Sequence, residues 1–256
     1  MVTETEMHAN YMYALRRVGT LVEGAASADI GPWSLMYSGL PDGRSNIGIL
    51  RRAPEDVVDA LVRAEEWFEA HGVRSIRLDL RSPDDVPMLA AAEVSGYSRW
   101  WVEPAMSMDP LPGRWEGMPS IDVRRVEAEA DVRTYGELEA EERSEYWFQQ
   151  QMTRSAMRME GHVLLVGSVG GTPVARSMAV VRDGLVGVHN VYVPPSRRQR
   201  GYGAAITAAT VDVGRELGAR AACLEATEMG EPVYRRMGFV HRYDYVVVGR
   251  RVEAGD

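Results

Sequence analysis

Three arginines and two glycines fall within seven residues at Arg197-Arg-Gln-Arg-Gly-Tyr-Gly203. Glycines let a backbone come close to a ligand, and arginine carries a permanent charge with a donor fork that matches phosphate oxygens. Their combination predicts a site for a phosphate or pyrophosphate. Such a site must be held by the elements on either side of it. An apolar strand pattern runs from Leu185 to Val193, and Pro194-Pro195-Ser196 then breaks it. Beyond the glycines, Ile206, Ala209, Val213 and Leu217 recur at helical spacing, which predicts a helix over 203–217 ending at Gly218. A helix N-terminus adds unpaired N–H groups and a partial positive charge. An ordinary strand-to-helix turn on a basic surface is the plain alternative. A dinucleotide loop fits poorly: seven residues separate Val193 from Gly201, and the fifth residue after Gly201 is Ile206 rather than Gly or Ala.

Composition narrows the classes further. The chain has 256 residues and a net charge of −8, which disfavours a nucleic-acid partner. All 29 basic residues are arginine. With no lysine, a Walker-type P-loop and a lysine Schiff base are excluded, and the bias fits a GC-rich bacterial genome. His8, His71, His162, His189 and His241 form no H-x-x-x-H or E-x-x-H pair, and there is one cysteine, Cys223, so no metal site is expected. No apolar run reaches the ~18 residues of a membrane span or resembles a signal peptide. These features predict a cytoplasmic enzyme with no membrane partner; they say nothing of its oligomeric state.

Pro110 to Pro119, with three prolines and two glycines, reads as a linker. The predicted organisation is therefore an N-terminal domain over 1–112, a linker over 113–119 and a second domain over 120–256. In the second domain the pattern predicts strands over 121–126, 163–169, 174–181, 185–193, 221–226 and 239–248. Helices are predicted over 128–157, 203–217 and 231–237. The first half echoes this layout: an amphipathic helix over 57–71 closed by Gly72, a strand over 75–80, a helix near 84–95 closed by Gly96-Tyr97, and a strand over 100–108. The fold class is α/β (α+β), a mixed central sheet flanked by helices, duplicated, with a first copy that lacks the arginine–glycine loop. A chance recurrence of helix-Gly-strand units is the alternative.

Two motifs carry a family resemblance. Arg198-Gln-Arg-Gly201-Tyr-Gly203 resembles the [Q/R]-x-x-G-x-[G/A] pyrophosphate loop of the Gcn5-related N-acetyltransferases (GNAT). Pro232-Val-Tyr-Arg-Arg-Met-Gly-Phe239 looks like the same family's Y-x-x-x-G-F element, in the family's order and at about its spacing. The resemblance covers roughly 120–250. It implies the GNAT acyl-CoA N-acyltransferase fold and acetyl-CoA as co-substrate, with an amine as acceptor. Tandem members of the family have the two-copy layout read above.

The resemblance also implies roles. Val191, Tyr192 and Val193, at the strand end, would meet the pantetheine arm through backbone groups. Arg198, Gln199, Arg200, Gly201, Tyr202, Gly203 and Ala204 would cradle the pyrophosphate. Tyr234 would stand near the coenzyme sulfur as general acid. An amine of pKa about 10 arrives protonated, so a base is needed. Gly187, His189 and Val191 share one face of an alternating strand, and family enzymes place a base on that face; Gly187 is empty, which leaves His189, with Glu225 at the end of the next strand as its rival. Packing roles for His189 and Tyr234 are the alternatives. Tyr146, Trp147 and Phe148 would lie over the acceptor, though helix aromatics more often pack in a core. The expected activity is transfer of an acetyl group to a primary amine of a small molecule. Another acyl donor, a protein or peptide amine, or a CoA-responsive binding module are the alternatives.

Overall fold

A computed structural model describes residues 1–20, 23–41, 45–139 and 146–251, apart from the side chains of 146–148. The chain divides into two compact units, each discontinuous in sequence. The first combines Met1–Ala14 with Met106–His241, and the second combines Leu15–Ala105 with Arg242–Asp256. Pro110 to Pro119 thus lies inside the first unit. The N-terminal helix, as far as Ala14, counts with the loop-bearing unit, whereas the chain from Arg242 onward counts with the other.

In the second unit, strands β1 (Ala26–Ile30), β2 (Trp33–Tyr37) and β3 (Ile47–Leu50) form an antiparallel meander. Helix α2 (Val57–Ala70) then returns the chain to β4 (Ser75–Ser82), parallel to β3. Helix α3 (Val86–Val94) leads into β5 (Ser98–Met108). The amphipathic face of α2 buries Leu61, Ala64 and Phe68 against Leu35, Leu78 and Val248. The Trp33 indole donates to the Ala60 carbonyl at 2.7 Å, which fixes α2 on β2. Hydrophobic periodicity alone leaves β1 to β3 unassigned. The five residues of β2 are all buried, so the period of two that marks a one-sided strand is absent.

The first unit opens with α1 (Glu4–Leu15, of which residues to Ala14 belong here). It continues with β6 (Asp122–Arg125), α4 (Glu129–Glu137) and α5 (Tyr146–Met157), then β7 (His162–Val169), β8 (Thr172–Arg182) and β9 (Leu185–Tyr192) as antiparallel neighbours. Helix α6 (Tyr202–Glu216) crosses to β10 (Ala221–Glu225), parallel to β9, and α7 (Glu231–Met237) precedes β11 (Val240–Arg251). The single helix expected over 128–157 is two helices, and residues 140–145 between them lie outside the described residues. The buried stripe of α6 also differs from the expected one: Ile206, Thr207, Thr210, Val211 and Gly214 face inward, and Leu217 is exposed. Small and hydroxylated residues replace large apolar ones there. The Thr210 hydroxyl lies 2.6 Å from Ser177 Oγ on β8 and donates to the Ile206 carbonyl, so its polar atom is satisfied inside the core.

The final strands are exchanged relative to the sequence halves. From Asp244 to Arg251, β11 pairs antiparallel with β4. Met106 and Met108, at the end of β5, join the core of the first unit with Leu224 and Ala226 of the β10 region.

Candidate active site

The ladder between β9 and β10 is short. It runs from Ala221↔Leu185 to Cys223↔Gly187 and ends there, although β9 continues to Tyr192 and β10 to Glu225. On its other edge β9 stays paired with β8, but the register slips: Met178 lies opposite His189 and Arg176 opposite Tyr192, so three steps on β9 match two on β8. Asn190 sits at φ 52° within this bulge. A bulge bends its strand and increases the local twist. Parallel strands that part in this way open a wedge whose walls are backbone N–H and C=O groups.

The bulge also changes which residues share a face. Val191 does not stand with Gly187 and His189 as strict alternation would have it; Tyr192 takes that place. Val191 packs with Ile206 and Val213 of α6, whereas Tyr192 packs with Met178 and Val180. The extra residue inverts the alternation beyond Asn190.

At the mouth of the wedge the chain turns through Pro195–Arg197, takes left-handed backbone at Gln199 (φ 62°) and Gly201 (φ 78°), and enters α6 at Tyr202. The Arg198 Nε donates to the Val193 carbonyl at 3.0 Å and its guanidinium lies 5.8 Å from the Tyr192 ring, so this arginine braces the loop. A Cβ on Gly201 would approach Pro119 to 2.9 Å in addition to its positive φ. On Gly203, by contrast, the nearest atom to a Cβ is Val193 Cγ2 at 3.9 Å, leaving room above the helix end. No side chain caps α6, and its first intrahelical bond is made by the Ala205 N–H to Gly201. The N–H groups of Tyr202, Gly203 and Ala204 therefore lie ahead of the helix ladder, where the dipole favours an anion.

His189 and Glu225 end up together, although the sequence offered them as rivals. His189 Nδ1 is 3.4 Å from Glu225 Oε2, with side chains 8% and 6% exposed. The second oxygen of Glu225 is buried without a hydrogen-bond partner. Asn10 of α1 lies on the other side of the imidazole, its Oδ1 3.3 Å from Nε2. Tyr234, in α7, is buried in the cluster that contains Val188 and Leu224, the residues just before His189 and Glu225. Strand alternation therefore puts Tyr234 on the opposite face of the sheet from the His189–Glu225 pair. Its ring meets Phe239 edge-on at 5.9 Å. Burial pushes the Tyr234 phenol up to about 12, and the Thr207 hydroxyl pulls weakly the other way. The side chains of Tyr146, Trp147 and Phe148 lie outside the described residues. A cavity of 270 Å³ between α4 and the start of β8, lined by Thr134, Leu138, Thr172, Pro194 and Arg197, contains none of the three candidate catalytic groups.

A wedge between two parallel strands, with an uncapped glycine-rich helix N-terminus at its mouth, is the setting that the resemblance of the arginine–glycine motif implies. Residues 123–239 match the model of the acetyltransferase (GNAT) family. That segment belongs to the GNAT family, and the protein is an acyltransferase of this type. Solved structures agree on the fold. A GCN5-related N-acetyltransferase from Kribbella flavida superposes with a TM-score of 0.70 at 18% identity, over 94% of this chain and 95% of that one. A tandem GNAT protein from the clavulanic acid biosynthesis pathway gives 0.61 at 15% identity, over 99% and 97%. A GCN5-related N-acetyltransferase from Sphaerobacter thermophilus gives 0.61 at 20% identity, over 82% and 74%. No curated protein sequence matches the chain. Among the described residues no helix is long and apolar enough to cross a membrane.

Proposed function

We propose that the protein acetylates a primary amine of a small molecule, with acetyl-CoA as donor, and that residues 15–105 are a second copy of the fold without coenzyme chemistry. The observation that carries this reading is the early end of the β9–β10 ladder at Cys223↔Gly187, together with the uncapped start of α6 against the end of β9 at Val193. The room over Gly203 and the three leading N–H groups suit a pyrophosphate, so the residues present fit the coenzyme.

The bound coenzyme would supply an activated thioester. Tyr202, Gly203 and Ala204 would hold its pyrophosphate through N–H groups, with Arg200 adding charge. Val191, Tyr192 and Val193 would line the arm with backbone groups, as an added strand is held. From one face of the sheet the His189–Glu225 pair would take the ammonium proton of the acceptor. From the opposite face Tyr234, kept protonated by its burial, would donate to the departing sulfur.

A panel of primary amines, incubated with acetyl-CoA and read by free-thiol release and product mass, tests the reading. Thiol release dependent on an amine, with a mass gain of one acetyl group, is expected. Tight coenzyme binding with no transfer to any amine would instead favour a CoA-responsive binding module.

A further inference from the structure

Asn10 is 2% exposed, and its side chain has two contacts with opposite requirements. The Nδ2 donates to the Val180 carbonyl at 3.0 Å. A carbonyl only accepts, so the amide nitrogen faces Val180 and Oδ1 faces His189. An amide oxygen also only accepts, so His189 must carry a proton on Nε2, 3.3 Å away. The lone pair of the neutral ring is then on Nδ1, which points at Glu225 Oε2.

The space for this arrangement comes from Gly187. A Cβ at that position would overlap both Asn10 Oδ1 and His189 Nε2. The residue that looks empty on the strand face is thus where α1 inserts an amide. Tyr11 of α1 stacks on the imidazole at 6.4 Å, and Cys223, next to Glu225 on the same side of β10, is buried with its thiol pushed well above its ordinary value by burial and by the Glu225 charge.

We propose that Asn10 is a positioning residue that locks His189 in the Nε2–H tautomer and so makes Nδ1, facing Glu225, the proton-accepting atom. In the competent state the ring is neutral and Glu225 is ionised. The ammonium N–H bond breaks as the Nδ1–H bond forms, directly or through one water, and the dyad passes from a charge of −1 to 0. The proton leaves to solvent before the next turnover.

The effect on turnover rests on the acetyltransferase reading; the tautomer rests on geometry alone, and the experiment separates them. In full-length protein with ¹⁵N-labelled histidine, the His189 signals are identified by their loss in His189→Gln. With the ring neutral, wild type should show Nε2 as the protonated nitrogen and Nδ1 as the lone-pair nitrogen. Asn10→Ala should shift the ring toward Nδ1–H, donating to Glu225. Gly187→Ala, which displaces the amide without deleting it, should do the same. With an acceptor in hand, both variants should lose ~10-fold or more in kcat with the KM for acetyl-CoA within about 2-fold. A wild-type ring in the Nδ1–H form would overturn the proposal, and that measurement needs no variant to fold. An Asn10→Ala protein with native circular dichroism and an unchanged tautomer would also overturn it. The expected tautomers in a protein that acetylates no amine would leave the positioning role standing and remove the catalytic reading.

Discussion

Two helices leave a parallel strand pair in corresponding places, one per unit, and their first turns are built oppositely. In α2 the N-cap is Asp56, whose carboxylate accepts from the Val58 and Asp59 N–H groups at 2.9 and 3.0 Å. In α6 the N-cap is Gly201, with no side chain to cap anything. One helix end satisfies its donors with an anion from its own chain; the other keeps them available. The strands below differ in the same sense. Both parallel ladders run for three pairs, Ile47↔Arg77 to Ile49↔Asp79 and Ala221↔Leu185 to Cys223↔Gly187, but β3 pairs with β2 in plain register whereas β9 is bulged against β8. A shared layout therefore says little about where chemistry occurs. A single capping carboxylate and one inserted residue separate a helix end closed by its own chain from one left open.

The largest expected effect is on binding. Gly203→Val puts a branched side chain into the space above α6 and should abolish acetyl-CoA binding by calorimetry while leaving the far-ultraviolet circular dichroism unchanged. Combining it with Asp56→Ala should not restore binding; a signal from that double variant would mean that α2 is a second coenzyme site held shut by its cap.

Tyr234→Phe deletes one hydroxyl and keeps the ring packed on Phe239. Turnover should fall on the order of 10²-fold with coenzyme affinity retained. The raised phenol favours the protonated form, so the donor stays loaded as pH rises past 10, and wild-type kcat should show no alkaline loss from this group until pH nears 12. Unchanged turnover in Tyr234→Phe would assign sulfur protonation to water.

The smallest effect belongs to the other helix end. Asp56→Ala should lower stability by about 1 kcal/mol in urea unfolding, the usual cost of losing a cap, with acetyl-CoA affinity unaltered.

Much of the loop-bearing unit was legible because it rests on local signals. The strand ending before Pro194, the glycines and the helix closed by Gly218 are each written within a few residues of where they act. What was not legible is non-local or breaks a period. Asn190 carries no hydrophobic signal for a bulge, so the face of Val191 was misassigned. The burial of Thr207 and Thr210 depends on a partner hydroxyl on β8, which no helical periodicity reveals. His189 and Glu225 could be nominated singly from their strands, but their contact follows from the register of β10 against β9. Asn10 had no signal of its own; its one trace was the missing side chain at Gly187, 177 positions later in the chain.

The exchange of the last strands has a consequence for synthesis. Chains emerge from the ribosome N-terminus first, and domains ordinarily fold as they appear. Here β4 is made well before its antiparallel partner over Asp244–Arg251. The nascent second unit must wait with an open sheet edge, the kind of surface that recruits foreign strands, until β11 is made. A stop codon after His241 would thus spare every proposed coenzyme and catalytic residue and still leave β4 without its β11 partner.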